Sequence, residues 1–204
     1  MSFLIRNRLN YGIFTIIASL IGFLASFELV LGKIAKLENA GAKLSCDISP
    51  FASCGTVMEN WQSELFGFPN QLLGIICFPI ALLIGVLMVS KVDLPRWIFL
   101  GFNAGTFLGA VFITWLFTQS VWAIGILCPW CIVVWAAHIP LFVYTTVYAI
   151  KEGCYGQKFK DSAVGHYLVL VPTLIVILWY FIIAASIAFT FRYEFSLLFA
   201  GWGR

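Results

Sequence analysis

Charge is scarce in this sequence. Only 10 % of its 204 residues are charged and 62 % are hydrophobic, whereas soluble domains carry about 25 % charged and about 45–50 % apolar residues. With a mean hydropathy of +0.99, an ordinary soluble core is excluded, because so much apolar surface needs lipid as its solvent. No cluster of Lys and Arg interrupts the scattered net charge of +3, so a nucleic-acid-binding surface is not expected. Repeats, low-complexity tracts and linkers are missing as well, and one integral membrane domain over 1–204 is the economical reading. Nor does an A-x-A cleavage motif follow the first apolar run, which is longer than the roughly 7–15 residues of a signal-peptide core. It reads as a retained signal-anchor helix.

What the chain does have is five apolar stretches, near 12–32, 72–89, 97–117, 127–149 and 167–189. Each approaches the roughly 20 residues that a helix needs to cross the hydrocarbon. All are expected to be helical, since lipid offers no partner to open backbone groups. The Lys and Arg pattern sets an orientation. An N-terminus in the cytoplasm places Arg6, Arg8, Lys91, Arg96, Lys151, Lys158 and Lys160 inside, and the smaller set Lys33, Lys36, Lys43, Arg192 and Arg204 outside. The expected location is therefore the inner or plasma membrane, crossed several times. The tail from Phe191 to Arg204, rich in Phe and Trp, is expected to lie at the interface.

The only long polar segment is the outer loop 33–71, which carries Cys46, Cys54 and Pro50. A piece from Met58 to Phe66 is expected to form a short amphipathic helix, anchored at headgroup depth by Trp61, Phe66 and Phe68. Two stripes of small residues, Ala18/Gly22/Ser26 and Gly101/Gly105/Gly109, point to close helix packing within the bundle, with a dimer face as the other use of such a stripe. Pro140 is expected to kink the fourth helix.

Four cysteines share the outer side in this topology. Cys128 and Cys131 open the fourth helix as Cys-Pro-Trp-Cys, with positions i and i+3 on one face and close enough for a slightly adjusted disulfide. At a helix N-terminus, free N–H groups and the helix dipole favour a thiolate, and Pro129 suits the first turn. Cys46 and Cys54 can close a loop disulfide. It reads either as a labile redox pair or as a static bridge. A four-thiolate zinc site is the other arrangement; the loop gap exceeds the usual spacing of about two to four residues, so no metal is expected. Cys77, within the second helix, and Cys154, in an inner loop, read as unpaired, the first buried and the second reduced.

Cys46-x7-Cys54, then Gly-Phe-Pro-Asn-Gln-Leu-Leu-Gly over 67–74, then Cys128-Pro-Trp-Cys131 together resemble the vitamin K epoxide reductase family, in its bacterial form without a fused thioredoxin domain. The resemblance covers about 12–149. It implies an all-α polytopic membrane protein, a four-helix bundle around a quinone with a fifth transmembrane helix outside it. It also implies that Cys46 exchanges with an extracytoplasmic thioredoxin-fold (DsbA-like) dithiol protein, that Cys54 passes electrons to Cys128, and that Cys131 faces the quinone (menaquinone or ubiquinone). Asn70 matches the family's quinone-bonding Asn. The position where vertebrate members have Tyr is Trp135, a departure that bears on epoxide chemistry more than on quinone reduction. His138 lies on the same helix face as Cys131 and Trp135, about 10 Å below Cys131 at 1.5 Å per residue; a quinone or proton role and a bond to a neighbouring helix are its two readings. Trp61 of the outer loop is counted with these as a quinone-side candidate. The alternatives are vitamin K epoxide reduction, a DsbB-like oxidase, whose two cysteine pairs occur in the opposite order, and a non-enzymatic membrane scaffold with a structural loop disulfide.

Overall fold

The computed structural model describes Leu4, 7–194 and Ser196. Those residues are almost entirely helical, and five helices are long and apolar enough to cross a membrane. Helix α1 (Arg8–Glu38) begins where the Asn7 side chain accepts the Asn10 N–H at 2.8 Å, four residues before the first apolar run. It also outlasts that run, because Lys33–Glu38 is rich in good helix formers and finds partners in the following loop. Instead of one amphipathic helix, the loop folds into two pieces, α2 (Cys54–Met58) and a single 3₁₀ turn (Trp61–Glu64). Helix α3 (Gln71–Val89) follows, then α4 (Arg96–Thr118), which continues as a π-helical turn (Gln119–Ile124). Gly125 ends that turn at φ +72°, a left-handed conformation that glycine adopts without strain. Helix α5 (Pro129–Lys151) runs unbroken through Pro140.

The last apolar stretch is two helices rather than one. Helix α6 (Gln157–Lys160) precedes α7 (Ala163–Leu170), and α8 (Pro172–Thr190) follows a break at Val171. Pro172 causes the break: it offers no N–H and pushes the preceding residue out of the helical region. Helix α8 packs on α5 from outside, tied by Tyr180 Oη donating to the Ala136 carbonyl at 2.6 Å and by Tyr144 and Thr173 hydroxyls 3.1 Å apart. It is the peripheral fifth helix. Of the expected interfacial tail, 195 and 197–204 lie outside the described residues.

Helices α1, α3, α4 and α5 form the bundle, and small residues set its tightest contacts. A Cβ added at Gly22 would lie 2.2 Å from the Phe78 ring, and one at Gly74 would lie 2.1 Å from Ser26 Oγ. The Ala18/Gly22/Ser26 stripe is therefore the α1–α3 contact. In the other stripe only Gly109 is used: a Cβ there would lie 2.6 Å from the His138 ring, while Gly101 and Gly105 meet nothing within 4 Å. Cys77 faces outward on α3, contrary to the expectation of burial, whereas Cys154 is buried. Cys77 immediately precedes the inward Phe78, so it lies about 100° round the helix from the buried face.

The charged residues sort to the two ends. Arg8 pairs with Asp93 at 2.9 Å, and Arg96 Nε donates to the Cys154 carbonyl at one end. At the other, Lys33 pairs with Glu64 at 2.8 Å and Lys36 with Glu59 at 3.1 Å. Two of the lysines at this end are thus matched by loop carboxylates.

Candidate thiol–disulfide site

The site begins with backbone, not with side chains. Leu127 N–H donates to the Phe51 carbonyl at 2.9 Å, and Ser53 N–H donates to the Leu127 carbonyl at 2.9 Å. This short strand-like pairing holds the cysteine loop directly against the residue preceding Cys128. A loop that joins two helices thereby becomes a fixed platform over the bundle end.

Asp47 organises the loop itself. One carboxylate oxygen accepts the Leu44 N–H at 2.8 Å; the other accepts the Ser53 hydroxyl at 2.8 Å and the Gly55 N–H at 2.9 Å. The bonds reach both flanks of the Cys46–Cys54 disulfide, whose Cα atoms are 5.7 Å apart. Burial acts to raise the Asp47 pKa, but these hydrogen bonds and the Lys36 charge together hold it below its ordinary 3.8. Its contribution to loop closure is therefore complete above that value and lost as pH falls through the lower folded one. Asp47→Asn removes the charge from this set of bonds, and the Cys46 side should open more often. After mild reduction, Cys46 alkylation in the variant is expected to speed up by about tenfold, the effect of weakening a charged hydrogen bond. An unchanged alkylation rate would show that Asp47 does not hold the loop shut.

Cys128 is the N-cap of α5, and its sulfur accepts the Cys131 N–H at 3.3 Å. Pro129 occupies the first turn, as its sequence position suggests. Cys128 and Cys131 are free thiols; Cys46, Cys54 and Cys128 share one apolar cluster with Leu29 and Met58, and Cys131 packs against it. Exposure falls from Cys46 at 6 % to Cys128 at 1 % and Cys54 at 0 %, while Cys131 is half-buried. Cys131 also borders a second cluster of Phe117, Leu127, Trp135 and Ile139. It therefore stands between the thiols and an aromatic wall.

The other sequence candidates fall around that wall unevenly. Trp135 is buried and meets Phe117 edge-on, with ring centroids 5.4 Å apart. His138 Nε2 lies 2.9 Å from the Thr106 carbonyl, and its ring is packed between Gly109 and Phe78. Of its two readings, the structure displays the bond to a neighbouring helix. Asn70 donates from Nδ2 to the Gln62 carbonyl at 2.6 Å and accepts the Leu65 N–H at 3.2 Å. That leaves one N–H of its amide for another acceptor. Trp61 is 65 % exposed and packs against Trp115 at 6.2 Å, which sets the 3₁₀ turn on the end of α4 nearest the cysteines.

Four contributors had no sequence motif. Leu127 acts through its backbone, and Asp47 looks like any loop acid until its partners are known. Phe117 supplies the aromatic wall. Gln62 is 8 % exposed with a buried Oε1 that has no partner among the described residues. An amide in a stretch flanked by aromatics was the one available signal for it.

A disulfide packed on a dithiol, at one end of an apolar helix bundle, is the arrangement of a membrane thiol–disulfide oxidoreductase. The profile of the vitamin K epoxide reductase family matches residues 13–146. The chain belongs to that family, whose members are membrane oxidoreductases of thiols and disulfides that generally use quinones. No curated protein matches the chain. The described residues contain no strand and no thioredoxin-type domain, and no group of three His, Cys, Asp or Glu side chains among them is placed to hold a metal ion.

Proposed function

We propose that the chain re-oxidises an extracytoplasmic thioredoxin-fold dithiol protein and passes the two electrons inward to a membrane quinone, supporting disulfide formation. The observation that carries this reading is the single cluster in which the loop disulfide rests against Cys128, with Cys131 on the far side.

The steps balance as thiol–disulfide exchange. A partner thiolate attacks Cys46, the more exposed sulfur of the loop pair, and Cys54 leaves as thiolate. The partner's second thiol then displaces Cys46, so the partner is oxidised and the loop is left as a dithiol. Cys54 next attacks Cys128 of an inner Cys128–Cys131 disulfide and releases the Cys131 thiolate. Cys46 attacks Cys54, restores the loop disulfide and frees Cys128. An oxidised loop beside a reduced Cys128/Cys131 pair fits the end of this step. A quinone beside Cys131 accepts two electrons and two protons as the inner disulfide re-forms.

The donor set suits such an acceptor: a dithiol whose inner sulfur borders Phe117 and Trp135, with the spare Asn70 N–H at the loop end of α3. Trp61 closes the loop over α4, and His138 forms the floor two turns below. The partner's approach is proposed along a hollow of about 290 Å³ beside the loop, lined by Lys36, Lys43, Asp47 and Pro50.

The test is quinol formation by the purified full chain supplied with a reduced thioredoxin-fold dithiol, using a quinone or a vitamin K epoxide in parallel. Quinol should form in step with partner oxidation, one per disulfide. Epoxide consumption at a matching rate would favour the epoxide reading, and neither product would leave the scaffold reading.

A further inference from the structure

At the end of the bundle opposite the cysteines, the termini of α1, α4 and α5 enclose a cavity of about 520 Å³. Its walls include Arg8, Arg96, Lys151 and Tyr148, and the redox relay uses none of them. Arg96 Nε holds the turn at Cys154 in place through its carbonyl, which fixes one wall.

The unpaired groups in this cavity are donors. Arg8 spends Nη1 on Asp93, but its Nε and Nη2 are buried with no partner among the described residues. Tyr148 is 4 % exposed, stacked on Tyr11 at 4.2 Å and on Phe99 at 5.8 Å. Its hydroxyl likewise has no hydrogen bond among the described residues. A buried guanidinium N–H left unmatched is costly. Two such groups and a phenol together ask for a ligand with several acceptor oxygens. The carboxylates do not fill the role: Asp93 is fully exposed at the rim, and Glu152 is exposed. Lys151 stands with its Nζ 5.8 Å from the Tyr148 ring centroid and adds positive charge.

We propose that this cavity binds a phosphate-bearing anion, with the Arg8 guanidinium and the Tyr148 hydroxyl donating to its oxygens. Arginine's planar fork matches phosphate in this way. The depth, at the ends of spanning helices, is that of lipid headgroups, where basic pockets between helices take anionic lipids. A soluble phosphate would present the same oxygens.

The full chain in uncharged detergent would be titrated with phosphatidylglycerol, with diacylglycerol and with inorganic phosphate, reading bound mass by native mass spectrometry and the thermal midpoint. Phosphatidylglycerol is expected to bind one-to-one and raise the midpoint, while diacylglycerol does neither. Binding by phosphatidylglycerol alone identifies the source as a lipid headgroup; binding by inorganic phosphate as well identifies a general phosphate site. Arg8→Gln should weaken binding by about tenfold or more, the effect of a lost charge-assisted pair. Tyr148→Phe keeps the ring stack and should weaken it by about threefold; it decides the matter if Arg8→Gln fails to fold. The proposal is overturned if neither phosphate probe binds, if diacylglycerol binds as well as phosphatidylglycerol, or if folded Tyr148→Phe and Arg8→Gln both bind like the unaltered chain.

Discussion

Replacing Cys131 by Ala should abolish quinone reduction while leaving the loop able to oxidise one equivalent of partner. Cys131 is the half-buried sulfur that borders the Phe117/Trp135 wall, and without it Cys128 has no neighbour with which to form the inner disulfide. The rate of quinol formation is expected to fall by at least about a thousandfold, as when a residue acting as a covalent unit is removed. Partner oxidation then stops after the Cys46–Cys54 disulfide has been consumed. That split distinguishes a break in the relay from a general loss of folding, which would abolish both. Cys77→Ser is the matched control, since Cys77 faces outward on α3, and it should leave both readouts unchanged. Quinol formation within a few-fold of the unaltered rate in Cys131→Ala would mean that another thiol meets the acceptor.

The second large effect is on stability and comes from a belt across the middle of the bundle. Gly22 on α1 makes room for the Phe78 ring of α3; Phe78 meets His138 of α5 edge-on at 6.1 Å; His138 in turn fills the space left by Gly109 on α4. Phe78 is 4 % exposed, so its ring has no room to retreat. Gly22→Leu should therefore push α1 from α3 and cost about 1–3 kcal/mol, the usual range for overpacking. Gly109→Ala presses on the same belt from the other side and also displaces His138 from the Thr106 carbonyl. The two substitutions share the Phe78–His138 contact, so their combined effect should differ from the sum of the singles. Thermal unfolding of the four proteins of the cycle in one detergent measures this. Strict additivity would show that the belt is not a connected unit.

Much of this was legible in the sequence, for physical reasons. Spanning helices announce themselves by hydropathy because open backbone groups find no partner in lipid, and Cys128 was placed at a helix start because an apolar run begins there and Pro129 suits a first turn, where its missing N–H costs nothing. The peripheral fifth helix followed from the family resemblance. Elsewhere the signal was missing or misleading. Apolar continuity hid the break before Pro172. It also hid the extension of α1 to Glu38, whose last turns are held by the Lys33 and Lys36 ion pairs rather than by lipid. The Leu127 pairing, which fixes the cysteine loop against Cys128, is made by peptide groups that every residue has, so no side-chain pattern could mark it. Asn70 was singled out by its motif as a quinone-side residue, while the bonds it makes close the loop around Gln62 and Leu65.

The proposed relay depends most directly on transfer from Cys54 to Cys128. With Cys46 and Cys131 both replaced by Ala, the two sulfurs that would resolve that exchange are gone. Oxidation of this variant, followed by peptide mapping under non-reducing conditions, should yield a Cys54–Cys128 disulfide as the main cross-link. Cys54 and Cys128 left as separate thiols, with the protein folded, would contradict the account.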